Sequence, residues 1–160
     1  MKEGMKKALL TFAAVVFAGL TYVFFAVENV FMGEGDHTIG TTGFDLYEGG
    51  SDFMKAMLIL TCIFVGLTVL FGLIKLVTDS KMVKSKSASK IVNFIFVVSA
   101  IAMVVCAVLY TIAIASMCND TTLVGDYRLL NPTVWSLVLL AVFPFIGLVL
   151  GMFSLQSKKK

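Results

Sequence analysis

The sequence predicts an all-α membrane protein, a four-helix transmembrane bundle, and three observations indicate this class. Of the 160 residues, 59% are hydrophobic and only 14% are charged, whereas about 25% are charged in typical soluble domains. The apolar residues form four runs that are long enough to cross a bilayer. The basic residues are concentrated in segments that alternate with these runs, which is the pattern that orients membrane proteins.

The four predicted helices cover residues 8–31, 53–77, 91–118 and 133–155 of a single polytopic domain, 1–160. The first run is longer than the apolar core of a signal peptide and has no small-residue cleavage site, so we predict a retained span. Lys55 and Lys75 bracket the second run, and both are expected to extend to lipid headgroups. The third helix is long enough that it must tilt or project beyond the bilayer.

Local signals predict where two of these helices begin. Ser51 is a suitable N-cap for the second helix, and Asp52 in its first turn would place negative charge at the positive end of the helix dipole. Asn131, Pro132 and Thr133 read as the cap and first turn of the fourth helix, because proline lacks only an N–H that is unpaired there anyway.

The inner loop, residues 78–90, decides the orientation. It contains Lys81, Lys84, Lys86 and Lys90 and the single acid Asp79. Basic loops of this length stay on the cytoplasmic side, where the leaflet is also anionic. Both termini are therefore predicted to be cytoplasmic, with eleven of the thirteen basic residues on that side. These lysines are expected to contact anionic inner-leaflet lipids rather than nucleic acid, in a bacterial inner membrane or a plasma membrane.

The outer loops are predicted at residues 32–52 and 119–132. The first is glycine-rich and acidic, and its segment 38–47 is a candidate for a short hairpin at the membrane surface. Its carboxylates lack the EF-hand spacing, and His37 alone cannot build a zinc site. A solvated acidic loop with no metal is the favoured interpretation, and no cofactor motif is present.

Small residues at helical spacing are the candidates for helix packing. On the fourth helix, Gly147 and Gly151 form a GxxxG motif that allows another helix to approach closely, and Pro144 is expected to kink the span. The second and third helices carry small residues at similar spacing. The candidates there are Gly66, Gly72, Ala107, Thr111 and Ala115. Packing within one chain and packing between copies both remain open.

Polar and reactive side chains near the outer surface give few further candidates. Glu28 lies near the predicted outer end of the first helix and could pair with Lys55 across the bundle or stay in contact with water. Cys118 is the only cysteine predicted at the outer surface, either as a free thiol or as a link to another chain. The predicted spans hold no mid-membrane ionisable residue, which disfavours ion-coupled transport.

Four spans, cytoplasmic ends, a larger first outer loop and a smaller second one are similar in layout to the claudin, peripheral myelin protein and MARVEL families. The claudin signature of a tryptophan, a GLW triplet and paired cysteines is absent from Gly33 to Asp52. The resemblance therefore implies layout only, and no residue role follows from it.

No catalytic motif is present, so a non-enzymatic structural, accessory or assembly subunit is the favoured function. Its partner would be a further copy or a larger membrane complex. The alternative is an oligomeric pore or channel subunit whose acidic outer loops favour cations. Its lining would come from weakly polar residues: Thr21, Thr61, Ser99 and Thr111.

Overall fold

The computed structural model describes residues 3–34, 37–79, 86–119, 123–124 and 127–156. Four helices form most of this part of the chain: α1 (Glu3–Val23), α2 (Asp52–Asp79), α3 (Lys86–Asn119) and α4 (Val134–Leu155). Each is long and apolar enough to cross a membrane. These four helices fit a small multi-pass membrane protein, as the sequence predicts.

The fold also contains a β-sheet, so the all-α description is incomplete. The strands are β1 (Glu28–Glu34), β2 (His37–Thr42), β3 (Leu123–Val124) and β4 (Tyr127–Pro132). They form one antiparallel sheet in the order β2-β1-β4-β3. Each connection between paired helices supplies one hairpin, and the pairing of β1 with β4 joins the two hairpins. A short 3₁₀ turn, Asp45–Tyr47, follows β2.

The first helix ends at Val23 rather than at residue 31. Strand β1 begins within the apolar run that the sequence assigns to the helix, so the sequence does not predict it. The side-chain Nδ2 of Asn29 donates to the carbonyls of Phe24 (2.8 Å) and Val27 (2.6 Å), just beyond the helix end. The chain then continues as a strand in which Val30 is buried and Phe31 is exposed, as expected for alternating side chains. The hairpin predicted at 38–47 lies instead at 28–42, because the apolar run includes its first strand.

The two predicted helix starts have different outcomes. The backbone N–H of Met54 donates to Ser51 Oγ at 3.2 Å, and α2 begins at Asp52, which confirms Ser51 as a cap. Pro132, in contrast, ends β4, and α4 begins only at Val134, after the N-cap residue Thr133. The fixed φ of proline suits the end of a strand as well as a first helical turn. A proline at this position therefore does not distinguish a strand end from a helix start.

The helices form a closed four-membered arrangement. Helix α1 packs against α2 and α4, and α3 packs against the same two helices. Because the sheet connects α1 to α2 and α3 to α4, consecutive helices run antiparallel. We call the end that carries the sheet the sheet end, and the end formed by Glu3, Asp79, Lys86 and Leu155 the hinge end.

Buried residues on each helix follow the spacing of three and four that is typical of coiled coils and four-helix bundles. Helix α2 shows this most regularly over its whole length. Its buried residues are Met54, Leu58, Thr61, Val65, Thr68, Gly72 and Lys75. The inward face of α2 therefore changes from large apolar residues at the sheet end to small and polar residues at the hinge end.

Candidate functional site

Asn29 is the main polar side chain at the junction of the sheet with the bundle. It is fully buried, and its Nδ2 bonds hold the two carbonyls after α1. Its Oδ1 accepts a hydrogen bond from the Tyr110 hydroxyl of α3 at 3.4 Å, and its backbone carbonyl accepts one from the Thr133 N–H at 2.8 Å. One residue therefore connects β1 with α1, α3 and the start of α4.

Aromatic rings surround this polar centre. Phe25 packs edge-on against Tyr110 with ring centroids 4.9 Å apart, and it also contacts Phe44 at 6.0 Å. Gly43 lies directly beside the Tyr110 hydroxyl, which a Cβ at that position would approach within 2.5 Å. The backbone N–H of Gly43 donates to the Phe25 carbonyl at 3.0 Å. The loop after β2 is thus packed closely on the bundle.

A second contact fixes α4 to the sheet. Ser136 donates its hydroxyl to the backbone carbonyl of Glu28 at 2.6 Å and is 3.0 Å from the carbonyl of Thr133. Strand pairing between Val30 and Pro132 lies beside this contact. Since hydrogen bonds that are shielded from water are costly to leave unmade, this network fixes the position of the sheet on the bundle.

The predicted outer pair of Glu28 and Lys55 is not brought together. Among the described residues no ion pair joins them, and the Glu28 side chain is exposed and lies over Gly40 of β2. Lys55 is half-buried, with its Nζ 6.0 Å from the centre of the Tyr47 ring. The water-exposed interpretation of Glu28 describes its position best.

The GxxxG glycines of α4 lie at contacts inside the bundle. A Cβ at Gly147 would be 3.2 Å from the backbone carbonyl oxygen of Ala14, and one at Gly151 would be 2.8 Å from the Phe96 ring. On α2, a Cβ at Gly72 would collide with the side chain of Val15. These three glycines therefore let α1, α2, α3 and α4 approach one another within a single chain.

The remaining packing candidates divide between the inside and the outside. Pro144 and Ala107 are buried, whereas Thr111 and Ala115 are only half-buried. Gly66 is exposed, and a Cβ there would meet no heavy atom within 4 Å. Gly66 thus faces away from the bundle, whereas Gly72 faces into it.

The weakly polar residues named for a pore lining bond to their own helices. Thr21, Thr61 and Thr111 donate to the carbonyls four residues earlier, at 3.1, 2.6 and 3.0 Å. Ser99 lies 3.0 Å from the carbonyl of Phe96. The hydroxyl of Thr68 on α2 is 2.7 Å from the carbonyl of Phe64 and 3.2 Å from Ser99 Oγ. The pair of Thr68 and Ser99 is a direct polar link between α2 and α3.

Lys75 lies inside the bundle, so the expectation that it extends to lipid headgroups is wrong. Only 2% of its surface is exposed, because it falls on the inward face of α2. Thr11 of α1 and Ser154 of α4 are also almost completely buried. Each lies one helical turn from a residue that packs at the contact of Gly151 with Phe96 and Ala14. The hydroxyl of Thr11 has no hydrogen-bond partner within the described chain. The hinge end therefore has a polar interior, and ionisable groups inside membrane bundles are often functional.

Among the described residues, neither the cysteines nor the acidic loop form a reactive centre. Cys118 is buried in the aromatic and aliphatic cluster at the sheet end, and Cys62, Cys106 and Cys118 are unpaired. No three histidine, cysteine or acidic residues in the described ranges are grouped so that they could hold a metal ion. Asp36 of the first outer loop lies outside those ranges.

An apolar groove lies on the outer surface of α4 at the sheet end. Its volume is about 690 Å³, and it is lined by Phe31, Pro132, Thr133, Val134, Trp135, Val138 and Leu139. Trp135 at its side is 57% exposed, which is typical of a tryptophan at a membrane interface.

Comparison of the chain with models of protein families, with curated proteins and with solved structures finds no match. Sequence reasoning missed Asn29, Tyr110, Ser136 and the burial of Lys75. A single asparagine at the end of an apolar run and a single tyrosine within an apolar helix are the signals that point to the first two.

Proposed function

We propose that the protein is a non-enzymatic structural subunit that associates through its membrane helices with further copies of itself or with a larger membrane assembly. In this proposal the sheet end faces away from the cytoplasm and the hinge end faces into it. The distribution of lysine supports this orientation, because eleven of the thirteen basic residues lie in the sequence before α1, between α2 and α3, after α4, or in the adjoining ends of these helices. The same lysines are proposed to contact anionic lipid, in a bacterial inner membrane or a plasma membrane.

The observation that carries the proposal is the different use of the glycines. Gly72, Gly147 and Gly151 are occupied by contacts inside the chain, whereas Gly66 lies open on α2. Large side chains, Ile63 and Leu70, flank Gly66 on the exposed surface of that helix. A gap between large residues is the shape that accepts a side chain of another helix in a membrane, where close packing rather than the hydrophobic effect drives association.

The filled interior supports a structural role over a pore formed by a single copy. Ala18, Val65 and Met103 pack together at the middle of the bundle, and Phe96 occupies the space between Gly72 and Gly151. The hydroxyls that would line a pore are directed to backbone carbonyls. A conducting path along the axis of one bundle would need these side chains to move apart.

Association in a bilayer tests the proposal. Copies labelled with two fluorophores and reconstituted into liposomes are expected to transfer energy, and Gly66→Leu is expected to reduce this transfer because it fills the gap. Gly19→Leu is the matched control, since a Cβ at Gly19 of α1 also meets nothing within 4 Å. If the wild-type protein neither transfers energy nor retains another protein in mild detergent, the proposal is wrong.

Ion flux from the same liposomes tests the alternative function. The proposal expects no flux above that of protein-free liposomes. A cation flux that Glu28→Gln reduces would instead favour the pore.

A further inference from the structure

The interior of the hinge end contains a polar layer, to which each helix contributes one side chain. Gly72 of α2 and Gly151 of α4 both lie against the ring of Phe96 on α3. Gly151 also lies beside Ala14 of α1. On each helix the residue three positions nearer the hinge end is polar, and a step of three positions keeps a side chain on nearly the same face. The four residues of the polar layer are Thr11, Lys75, Asn93 and Ser154.

The polar layer is enclosed by protein. Thr11, Lys75 and Ser154 are each at most 2% exposed. Asn93 is half-buried, and its side-chain oxygen Oδ1 is buried. A ligand from outside cannot reach the layer while the helices keep this arrangement, so its polar groups act on the stability of the arrangement itself.

Two groups of the polar layer lack a hydrogen bond. In the part of the chain that the structure describes, neither the hydroxyl of Thr11 nor Oδ1 of Asn93 has a partner. The hydroxyls of the other buried threonines within the four helices lie 2.6 to 3.1 Å from the carbonyls four residues earlier: Thr21, Thr61 and Thr68. A buried polar group without a partner costs about 1 to 3 kcal/mol. The enclosed layer therefore destabilises the arrangement in which the hinge end is packed.

Lys75 adds an electrostatic cost to the same layer. Transfer of an ammonium group from water into a protein interior costs several kcal/mol, and a partner offsets this cost only when its geometry is very good. The other members of the layer are uncharged. Contact of the layer with water would thus favour the ammonium of Lys75 as well as the unpaired hydroxyl of Thr11.

Helix α1 is the element whose movement would expose the layer with the least loss of packing. The interior side chains of α3 are large, since Phe96, Met103 and Tyr110 are fully buried. At the sheet end, Asn29 holds the two carbonyls that follow α1. Movement is therefore expected only in residues 3–14, which we call the hinge half of α1. The fully buried side chains of α1 are small: Thr11, Ala14, Ala18 and Thr21.

We propose that the hinge end has a second, open arrangement, in which the hinge half of α1 separates from α2 and α4 and water reaches Thr11 and Lys75. Packing of Phe96 against Gly72 and Gly151 favours the closed arrangement, whereas the enclosed polar groups favour the open one. Since each contribution amounts to a few kcal/mol, the open arrangement is a minor state of about 0.1 to 10%. This opening takes place within one chain and does not depend on association between copies.

Hydrogen exchange of the full-length protein in lipid nanodiscs tests the opening. Thr11→Val keeps the shape of the side chain and removes the unpaired hydroxyl, so it stabilises the closed arrangement. Exchange of the amides in the hinge half of α1 is expected to slow about fivefold to thirtyfold, the effect of 1 to 2 kcal/mol. Exchange of the amides around Tyr110, at the sheet end, is expected to change little. Unchanged or faster exchange in the hinge half of folded Thr11→Val would overturn the proposal, and so would equal slowing at both ends.

Two further variants separate opening from other effects on α1. Thr21→Val removes a hydroxyl that is bonded to the Phe17 carbonyl on the same helix, and it is expected not to slow exchange in the hinge half. Lys75→Met removes the ammonium from α2 and is expected to slow exchange in the hinge half of α1, although it lies on another helix. Thermal melting establishes that each variant is folded. An effect of Lys75→Met that is confined to α2 contradicts the proposal.

Discussion

The two ends of the bundle are held together by different interactions. At the sheet end, large side chains such as Tyr110 and Phe25 pack around the hydrogen bonds of Asn29. Towards the hinge end, Gly147 lies against the backbone of Ala14, and the glycines at positions 72 and 151 make room for Phe96 between their helices. The sheet end is thus stabilised by specific side chains that bridge several elements, and the hinge end by the absence of side chains. Substitutions should therefore destabilise the two ends in opposite ways. Removing atoms is expected to be damaging at the sheet end, and adding atoms is expected to be damaging towards the hinge end.

Removing the aromatic ring of Tyr110 is expected to have the largest effect. Tyr110→Ala leaves a cavity beneath the sheet and is expected to lower the free energy of unfolding by about 4 kcal/mol, as for other buried aromatic residues. Phe94→Ala, on the exposed side of the same helix, is the control and is expected to have little effect. Reversible unfolding in mixed micelles measures both. Equal losses of unfolding free energy in the two variants would show that the burial of Tyr110 does not stabilise the sheet end.

Adding atoms at the opposite end is expected to be nearly as damaging. Gly147→Leu places a side chain against the backbone of Ala14, which cannot rotate away, and it is expected to cost about 3 kcal/mol by overpacking. Gly66→Leu adds the same atoms on the open face of α2 and is expected to leave the stability of one chain unchanged. The same unfolding measurement compares them. A stable Gly147→Leu variant would mean that α1 and α4 do not approach as closely as described.

Loss of the polar centre at the sheet end is expected to have an intermediate effect. Asn29→Ala leaves the carbonyls of Phe24 and Val27 without a donor, and it is expected to cost about 2 kcal/mol, the cost of buried polar groups without partners. Asn119→Ala, at an exposed position at the end of α3, is the control. Hydrogen exchange of the strand amides should increase in Asn29→Ala more than exchange in α2. Uniform exchange throughout the chain would contradict a local role.

The smallest expected effect concerns the polar link between α2 and α3. A double-mutant cycle with Thr68→Val and Ser99→Ala is expected to give a coupling energy of about 0.6 kcal/mol, which is the average for hydrogen bonds between membrane helices. Thr61→Val combined with Ser99→Ala serves as the control, because Thr61 bonds only within α2. Additive effects for the first pair would indicate that the hydroxyls of Thr68 and Ser99 do not interact.

The four helices could be predicted because their apolar runs are long and lipid requires helices. The sheet could not, since β1 merges with the first apolar run and its partner β4 lies about a hundred residues later in the chain. Which face of a helix turns inward was only partly predictable. Helices that are apolar all round carry little hydrophobic periodicity, so only the small and polar residues indicate which face is buried.

Gly72 and Gly66 illustrate this limit. Both are small residues on α2 with a small residue four positions earlier, yet one is buried and the other is exposed. The alternating spacing of three and four that includes Thr61, Thr68 and Lys75 distinguishes them, and a spacing of four alone does not. The place of Lys75 at the end of an apolar run predicts contact with lipid headgroups, whereas its position in this spacing turns it inward. The candidate site at Asn29 depends on contacts between distant segments and has no local motif.

The pairing of β1 with β4 has a consequence for how the chain assembles. Each half of the protein contributes two helices and one hairpin, and the halves meet along α1 with α4, α2 with α3, and β1 with β4. Only the link between residues 79 and 86 connects them covalently. Two separately synthesised fragments, divided in that link and co-expressed, are therefore expected to recombine into the complete bundle, as a heterodimer of complementary halves.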